Sequence, residues 1–88
     1  MKLNDVIFID NLPKLDLHGL DRDTARVKIK EFINDQFIMK NNLFVIVHGV
    51  SGGVLRTTTH EVLKREKRVI DFKTFYNNNG CTIVEIEL

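Results

Sequence analysis

The 88-residue sequence predicts an α/β (α+β) two-layer sandwich in the order βαβαββ, a mixed four-stranded sheet carrying two helices. Three observations point there. Ala25 to Phe37 and Val54 to Leu63 place apolar residues at helical spacing. Short apolar runs rich in branched residues, above all Leu43 to Val47, flank those stretches and read as strands. Asn77-Asn78-Asn79-Gly80 separates the last two runs, and asparagine and glycine tolerate the positive φ of a hairpin turn.

Residues 2 to 13 hold the apolar run Val6-Ile7-Phe8-Ile9 and end at Pro13, which removes a ladder donor. They read as an N-terminal arm or an extra edge strand, giving an arm over 1–14 and a domain over 15–88. Leu15 to His18 is a short strand. Asp21 can cap the following helix, with Asp23 in its first turn matching the positive end of the dipole. Ala25, Ile29, Phe32, Ile33 and Phe37 carry that helix to about Ile38. Lys40-Asn41-Asn42 turns the chain into Leu43 to Val47, whose unbroken apolar run suits a strand covered on both faces.

A glycine-rich turn leads to the second helix, in which Val54, Leu55, Val62 and Leu63 should share one face. Thr57-Thr58-Thr59 are poor helix formers, so tertiary packing must support its first turns. Val69 to Phe75 and Cys81 to Leu88 are the closing strands, the latter with one face toward the core and one partly wet. A βαβ start with right-handed crossovers and a final hairpin puts both helices on one face of the sheet.

The totals bound what such a chain can be. Its length allows one domain with a modest core. An apolar fraction of 43% and a charged fraction of 28% belong to an ordinary globular domain. The longest apolar runs are far too short to span a bilayer, and the N-terminus lacks the order of a secretory signal. A lone cysteine, Cys81, allows no internal disulfide and fits a reducing compartment, so the cytoplasm is expected. Thirteen basic against twelve acidic residues give a net charge of +1, and bulk charge argues for no particular partner. Local clusters do more: Arg22, Arg26, Lys28 and Lys30 lie along the first helix, and Lys64, Arg65, Lys67 and Arg68 crowd the end of the second. The latter is either favourable charge at a helix C-terminus or a phosphate-facing patch.

Chemistry concentrates in two motifs. In Leu15-Asp16-Leu17-His18-Gly19 a carboxylate and an imidazole stand two residues apart. On an extended strand they would project side by side, the minimum equipment for proton transfer at neutral pH. About thirty residues later His48-Gly49-Val50-Ser51-Gly52-Gly53-Val54-Leu55-Arg56 opens a glycine-rich turn with a second histidine. Such a turn before a helix leaves backbone N–H groups free for phosphate. It is not a P-loop, because no lysine follows the last glycine. Arg56, unfavourable toward the helix dipole, makes sense facing an anion.

With both motifs placed, the chain from Leu15 to Leu88 resembles an Smr (small MutS-related) domain. Leu15 to Gly19 matches the family's LDLHG, His48 to Arg56 its HGxG-type turn with the Leu-Arg that follows, and Gly80-Cys81-Thr82 its Gly-x-Thr. The resemblance implies a fold similar to the C-terminal domain of translation initiation factor three. It also implies cleavage of nucleic acid, DNA nicking by nucleases attached to MutS-like ATPases or RNA cleavage by smaller, sometimes ribosome-associated proteins. The family's usual His-Gly-Lys-Gly is altered here: Val50 replaces the lysine and Ser51 the second glycine, so a phosphate-binding ammonium is missing from its usual place.

What the resemblance implies for roles is an endonuclease in which Asp16, His18 and His48 are catalytic and Gly49, Ser51, Gly52, Gly53 and Arg56 bind phosphate. His18 would move the proton at the scissile phosphodiester while Asp16 orients the ring or stabilises its cation. RNA cleavage through the 2′-hydroxyl needs no metal. DNA cleavage needs an activated water, and there Asp16 could hold a divalent ion. Blander roles stand beside these. Asp16 and His18 could simply fix a turn, His48 could be a structural residue bonded to backbone, and the glycines could only shape the loop. His60 reads as an exposed helical residue, Cys81 as packing, and Tyr76 as packing or a base-stacking ring. The competing functions are a non-catalytic nucleic-acid-binding module and a protein-interaction domain using the edge at Val6 to Ile9; no membrane partner is expected.

Overall fold

A computed structural model describes residues 11–50, 53–75 and 78–88, with the side chains of 78 and 79 left aside. The order is β1 (Lys14–Asp16), α1 (Arg22–Ile38), β2 (Leu43–Val47), α2 (Val54–Arg65), β3 (Val69–Phe75) and β4 (Asn78–Ile86). The sheet runs β1-β2-β4-β3. β1 is parallel to β2, and β4 is antiparallel to both β2 and β3. This is the expected mixed sheet with two helices. The expected N-terminal strand around Val6 to Ile9 lies outside the described residues. Just after that segment, Val45 N–H donates to Pro13 O at 2.9 Å, so the chain is already beside β2 before β1 begins.

α1 forms where local chemistry demands it. Asp21 accepts from Thr24 N–H at 3.0 Å, Asp23 occupies the first turn, and Ala25, Ile29 and Ile33 are buried one turn apart. The same Thr24 hydrogen bonding holds the Asp21 carboxyl below its ordinary value. These residues pack with Val62 and Leu63 of α2 against Phe44, Ile46, Val84 and Ile86 on one face of the sheet. Both helices therefore cover the same face. Phe32 meets Phe44 edge-on at 5.3 Å, a favoured aromatic geometry. Leu43, Val45, Phe75, Cys81 and Ile83 make a second buried cluster on the opposite face, joined by Leu12 and Val47. β2 is thus buried on both sides, as its unbroken apolar run requires.

Three expectations need correction. Val54 is exposed, and the buried first half of α2 consists of Thr58 and Thr59. Their hydroxyls donate to Val54 O and Leu55 O at 2.8 and 2.7 Å, which lets two polar residues enter the core satisfied. β4 starts at Asn78, three residues before Cys81, because Phe75 pairs with Asn78. Asn78-Asn79-Gly80, expected in the turn, therefore belong to the strand, and residues 76 and 77 lie outside the described residues. Finally, Cys81 and Ile83 are buried on the face opposite the helices, so that face of β4 becomes wet only toward Glu85. Among the described residues no helix is long and apolar enough to cross a membrane.

Candidate active site at the strand ends

Parallel pairing makes β1 and β2 end at the same edge of the sheet, and the helix that follows each strand starts there. β4 begins at the same edge, with Cys81 opposite Val47. Asp16, His18 and Gly19 of the first motif and His48, Gly49 and Val50 of the second are gathered at this edge.

β1 stops at Asp16, two residues short of the expected His18. The reason is local: Asp16 Oδ1 accepts from His18 N–H at 2.9 Å and draws that amide out of the ladder. Leu17 still donates to Val47 O at 2.9 Å, and Leu20 N–H then closes a turn onto Leu17 O at 3.0 Å. Gly19 supplies the φ of +80° that this turn needs at its third position. Asp16 and His18 are consequently not side by side on a flat strand. The carboxylate holds the backbone of a turn that presents an exposed imidazole. Among the described residues nothing is hydrogen-bonded to either ring nitrogen of His18.

His48 follows β2 and is held from several directions. Its N–H and that of Gly49 both donate to Gly80 O, at 2.8 and 3.0 Å. Its ring is buried, with Nδ1 2.9 Å from Gly49 O and Nε2 2.8 Å from Thr82 Oγ1. Burial pushes its pKa below the ordinary histidine value; the Gly49 carbonyl opposes that shift and the Arg56 cation adds to it. His60, expected to be an exposed helical residue, is half-buried instead. Its Nε2 lies 3.0 Å from the same Thr82 oxygen, and its ring packs on Phe72 at 5.1 Å. Burial lowers its pKa as well, helped by His48, Arg56 and Lys64.

A cleft of about 450 Å³ is lined by Asp16, His18, Gly19, Val47, His48, Gly49, Val50 and Leu55. Gly53 lines a neighbouring cleft of about 220 Å³ with Arg22, Val54, Thr57, Thr58 and Glu61. As N-cap of α2, Gly53 offers no side-chain hydrogen bond, and no acidic residue stands in the first turn. Among the described residues no side chain caps the first amides of α2, and the Glu61 carboxylate lines the same small cleft. Val50 is 70% exposed at the cleft's lip. Arg56 donates to Thr74 Oγ1 on β3 at 3.2 Å, so the structure sets it toward β3 and outside both clefts' linings. Ser51, Gly52 and Tyr76 lie outside the described residues. Of the basic clusters, Arg26 is paired with Asp23 and Glu61, Lys28 with Glu31, and Arg68 with Glu66. Among the described residues no three His, Cys, Asp or Glu side chains converge as a metal site. An ion at Asp16 would take its other ligands from substrate and water.

The geometry thus brings Asp16, His18, His48 and Gly49 to one cleft and leaves Arg56 beside it. Sequence reasoning missed His60 and the role of Thr82. His60 follows Arg56 by one turn and sits next to buried Thr59, a position at the edge of the buried stripe that could have flagged it.

Comparison with known proteins gives a consistent picture. The family described as "Smr domain" matches residues 15–87. Endonuclease MutS2 of Caldanaerobacter subterraneus subsp. tengcongensis is 34% identical over 77 residues, covering 84% of this chain and 10% of that protein. Endonuclease MutS2 of Streptococcus suis is 39% identical over 75 residues, covering 81% and 10%. The chain spans about a tenth of the length of these curated relatives. The crystal structure of the Smr domain of Thermus thermophilus MutS2 superposes with a TM-score of 0.84 at 25% identity, covering 88% of this chain and all of that one. YdaL, a stand-alone small MutS-related protein from Escherichia coli, shares the fold at a TM-score of 0.81 and 17% identity, over 85% of this chain and 64% of that one.

Proposed function

This chain belongs to the Smr domain family, and from that premise we propose that it is a small nucleic-acid endonuclease whose reaction is run by His18 in the cleft at the ends of β1 and β2. The observation that carries the proposal is the exposed His18 imidazole, presented by an Asp16-held turn in the cleft that Leu55 of the first turn of α2 also lines. In this reading a phosphodiester sits on the amide of Gly53 and those of the first turn of α2, whose Leu55 lines the same cleft as His18. His18 accepts the proton of the attacking oxygen, and Asp16 steadies the turn and stabilises the imidazolium. With RNA the attacking group is the 2′-hydroxyl: its oxygen bonds to phosphorus, the 5′-oxygen leaves and takes up a proton, and a cyclic phosphate remains. With DNA the attacking group is water. Both ring nitrogens of His48 are occupied, which supports a reading in which it holds the loop while His18 carries the proton. Arg56, held by one long hydrogen bond at the surface, is available to turn toward a bound phosphate.

Matched single-stranded, double-stranded and branched RNA and DNA, incubated with the protein with and without chelator and resolved on a denaturing gel, test the proposal. Cleavage that disappears in His18→Ala is the expected result. Oligonucleotides that are retarded on a native gel but never cut would overturn it in favour of a binding module.

A further inference from the structure

Resting in its catalytic part on the proposed endonuclease, we infer that His60 and Thr82 are positioning residues, whose hydrogen-bond relay to His48 fixes that ring in one tautomer and so holds the glycine loop at the cleft. The relay can be read atom by atom. His48 Nδ1 lies 2.9 Å from Gly49 O, which only accepts, so Nδ1 carries a hydrogen. In the neutral ring Nε2 is then an acceptor, and the Thr82 hydroxyl 2.8 Å away donates to it. A hydroxyl has one hydrogen. With it committed to His48, the 3.0 Å contact to His60 requires His60 Nε2–H as donor. One proton arrangement satisfies the neutral triad: His60 Nε2–H to Thr82, Thr82 O–H to His48 Nε2, His48 Nδ1–H to Gly49 O.

Thr82 is fully buried, so no water substitutes for either partner. Two residues upstream, Gly80 O accepts the amides of both His48 and Gly49. The start of β4 therefore anchors the loop twice, by backbone at Gly80 and by side chain at Thr82. His60 comes from α2 on the far side of the loop, and its packing on Phe72 fixes the ring that orients the threonine hydrogen. Arg56 and Lys64 are the cations that act on this pair, and both disfavour a proton on it. Protonating His48 Nε2 would point a hydrogen at the Thr82 hydrogen and break the relay at its centre.

Long-range proton–nitrogen NMR spectra of the ¹⁵N-labelled protein near neutral pH read the tautomers directly. The expected result is His48 protonated at Nδ1 and His60 at Nε2; the opposite tautomer at either ring overturns the inference. Variants add a second readout. His60→Phe keeps a ring against Phe72 but removes the donor, and should speed amide exchange at His48 and Gly49 by about tenfold. His60→Gln and Thr82→Ser restore a donor and a hydroxyl and should leave those rates within about twofold of the parent. Exchange unchanged in His60→Phe, or equally fast in the conservative variants, refutes the relay. None of these measurements needs a substrate. A chain with the assigned tautomers that cuts nothing retains the relay and loses the endonuclease, whereas cleavage with other tautomers has the reverse meaning.

Discussion

His18 stands on the surface of its turn, so its imidazole can be removed without disturbing the core. His18→Ala should lower cleavage by about 10²–10⁴-fold while the melting temperature stays put, and a loss of stability equal to the loss of rate would make the residue structural. Asp16 separates two tasks when replaced twice. Asn keeps an oxygen for the His18 amide but lacks the charge, whereas Ala lacks both. Asp16→Asn should therefore lose activity with its stability retained, and Asp16→Ala should lose both; a fully active Asp16→Asn would leave the carboxylate as no more than a turn cap. Val50 gives a gain-of-function test. At 70% exposure a lysine there meets no desolvation cost, so Val50→Lys should bind nucleic acid about 1 kcal/mol more tightly, with a salt slope steeper by about one. Unchanged affinity at an unchanged melting temperature would move the phosphate away from this loop.

At the level of elements, α2 and β4 use buried threonine for different ends. Thr59 returns its hydroxyl to Leu55 O, a carbonyl that also has its own helical amide partner. Thr82 is a shared partner of two imidazoles. The same change should therefore diverge: Thr59→Val should alter unfolding free energy by about 1 kcal/mol or less, and Thr82→Val should cost about 1–3 kcal/mol because the buried His48 Nε2 loses its partner. Urea melts of the two variants side by side decide it, and equal effects would mean that Thr82 only fills space. The cap of α1 and its stripe of Ala25, Ile29 and Ile33 were readable because both are local, but its last turn was not: Gln36 is buried there and Phe37, expected in the stripe, is exposed. The start of β4 was not readable either, because the pairing of Phe75 with Asn78 decides where the strand begins and the asparagines alone do not.

The stability of the whole molecule is expected to depend on pH through the buried His48 and the half-buried His60. Burial is the leading cause that holds both His48 and His60 below the ordinary value of 6.5. Below that value the unfolded chain binds protons that the folded chain refuses. Folding stability is therefore full above about pH 6.5 and declines as the pH falls toward the lowered folded values. Melting temperatures should drop between about pH 7 and pH 5, and His60→Phe should flatten the decline. A parent curve flat across that interval would show that the pair is not protected from protons as its burial requires. The same architecture explains why activity is expected at one edge only, since parallel pairing of β1 and β2 brings both motifs and both helix N-termini there.

Sequence by itself determined the layers and the addresses of the motifs. Helical spacing, an unbroken apolar strand, and motifs ending in glycine are local properties, and Leu43–Val47 and the end of α1 at Ile38 emerged with the expected bounds. The tertiary structure decided what the side chains in those motifs do. Asp16 had two available partners, the His18 ring and the His18 amide, and the turn closed by Gly19 selects the amide. His48 and His60 are twelve residues apart in sequence, and Thr82 is a further twenty-two from His60. Only the packing of α2 over the sheet brings all three within hydrogen-bond distance, because a polar relay between distant segments has no periodicity for a sequence to display.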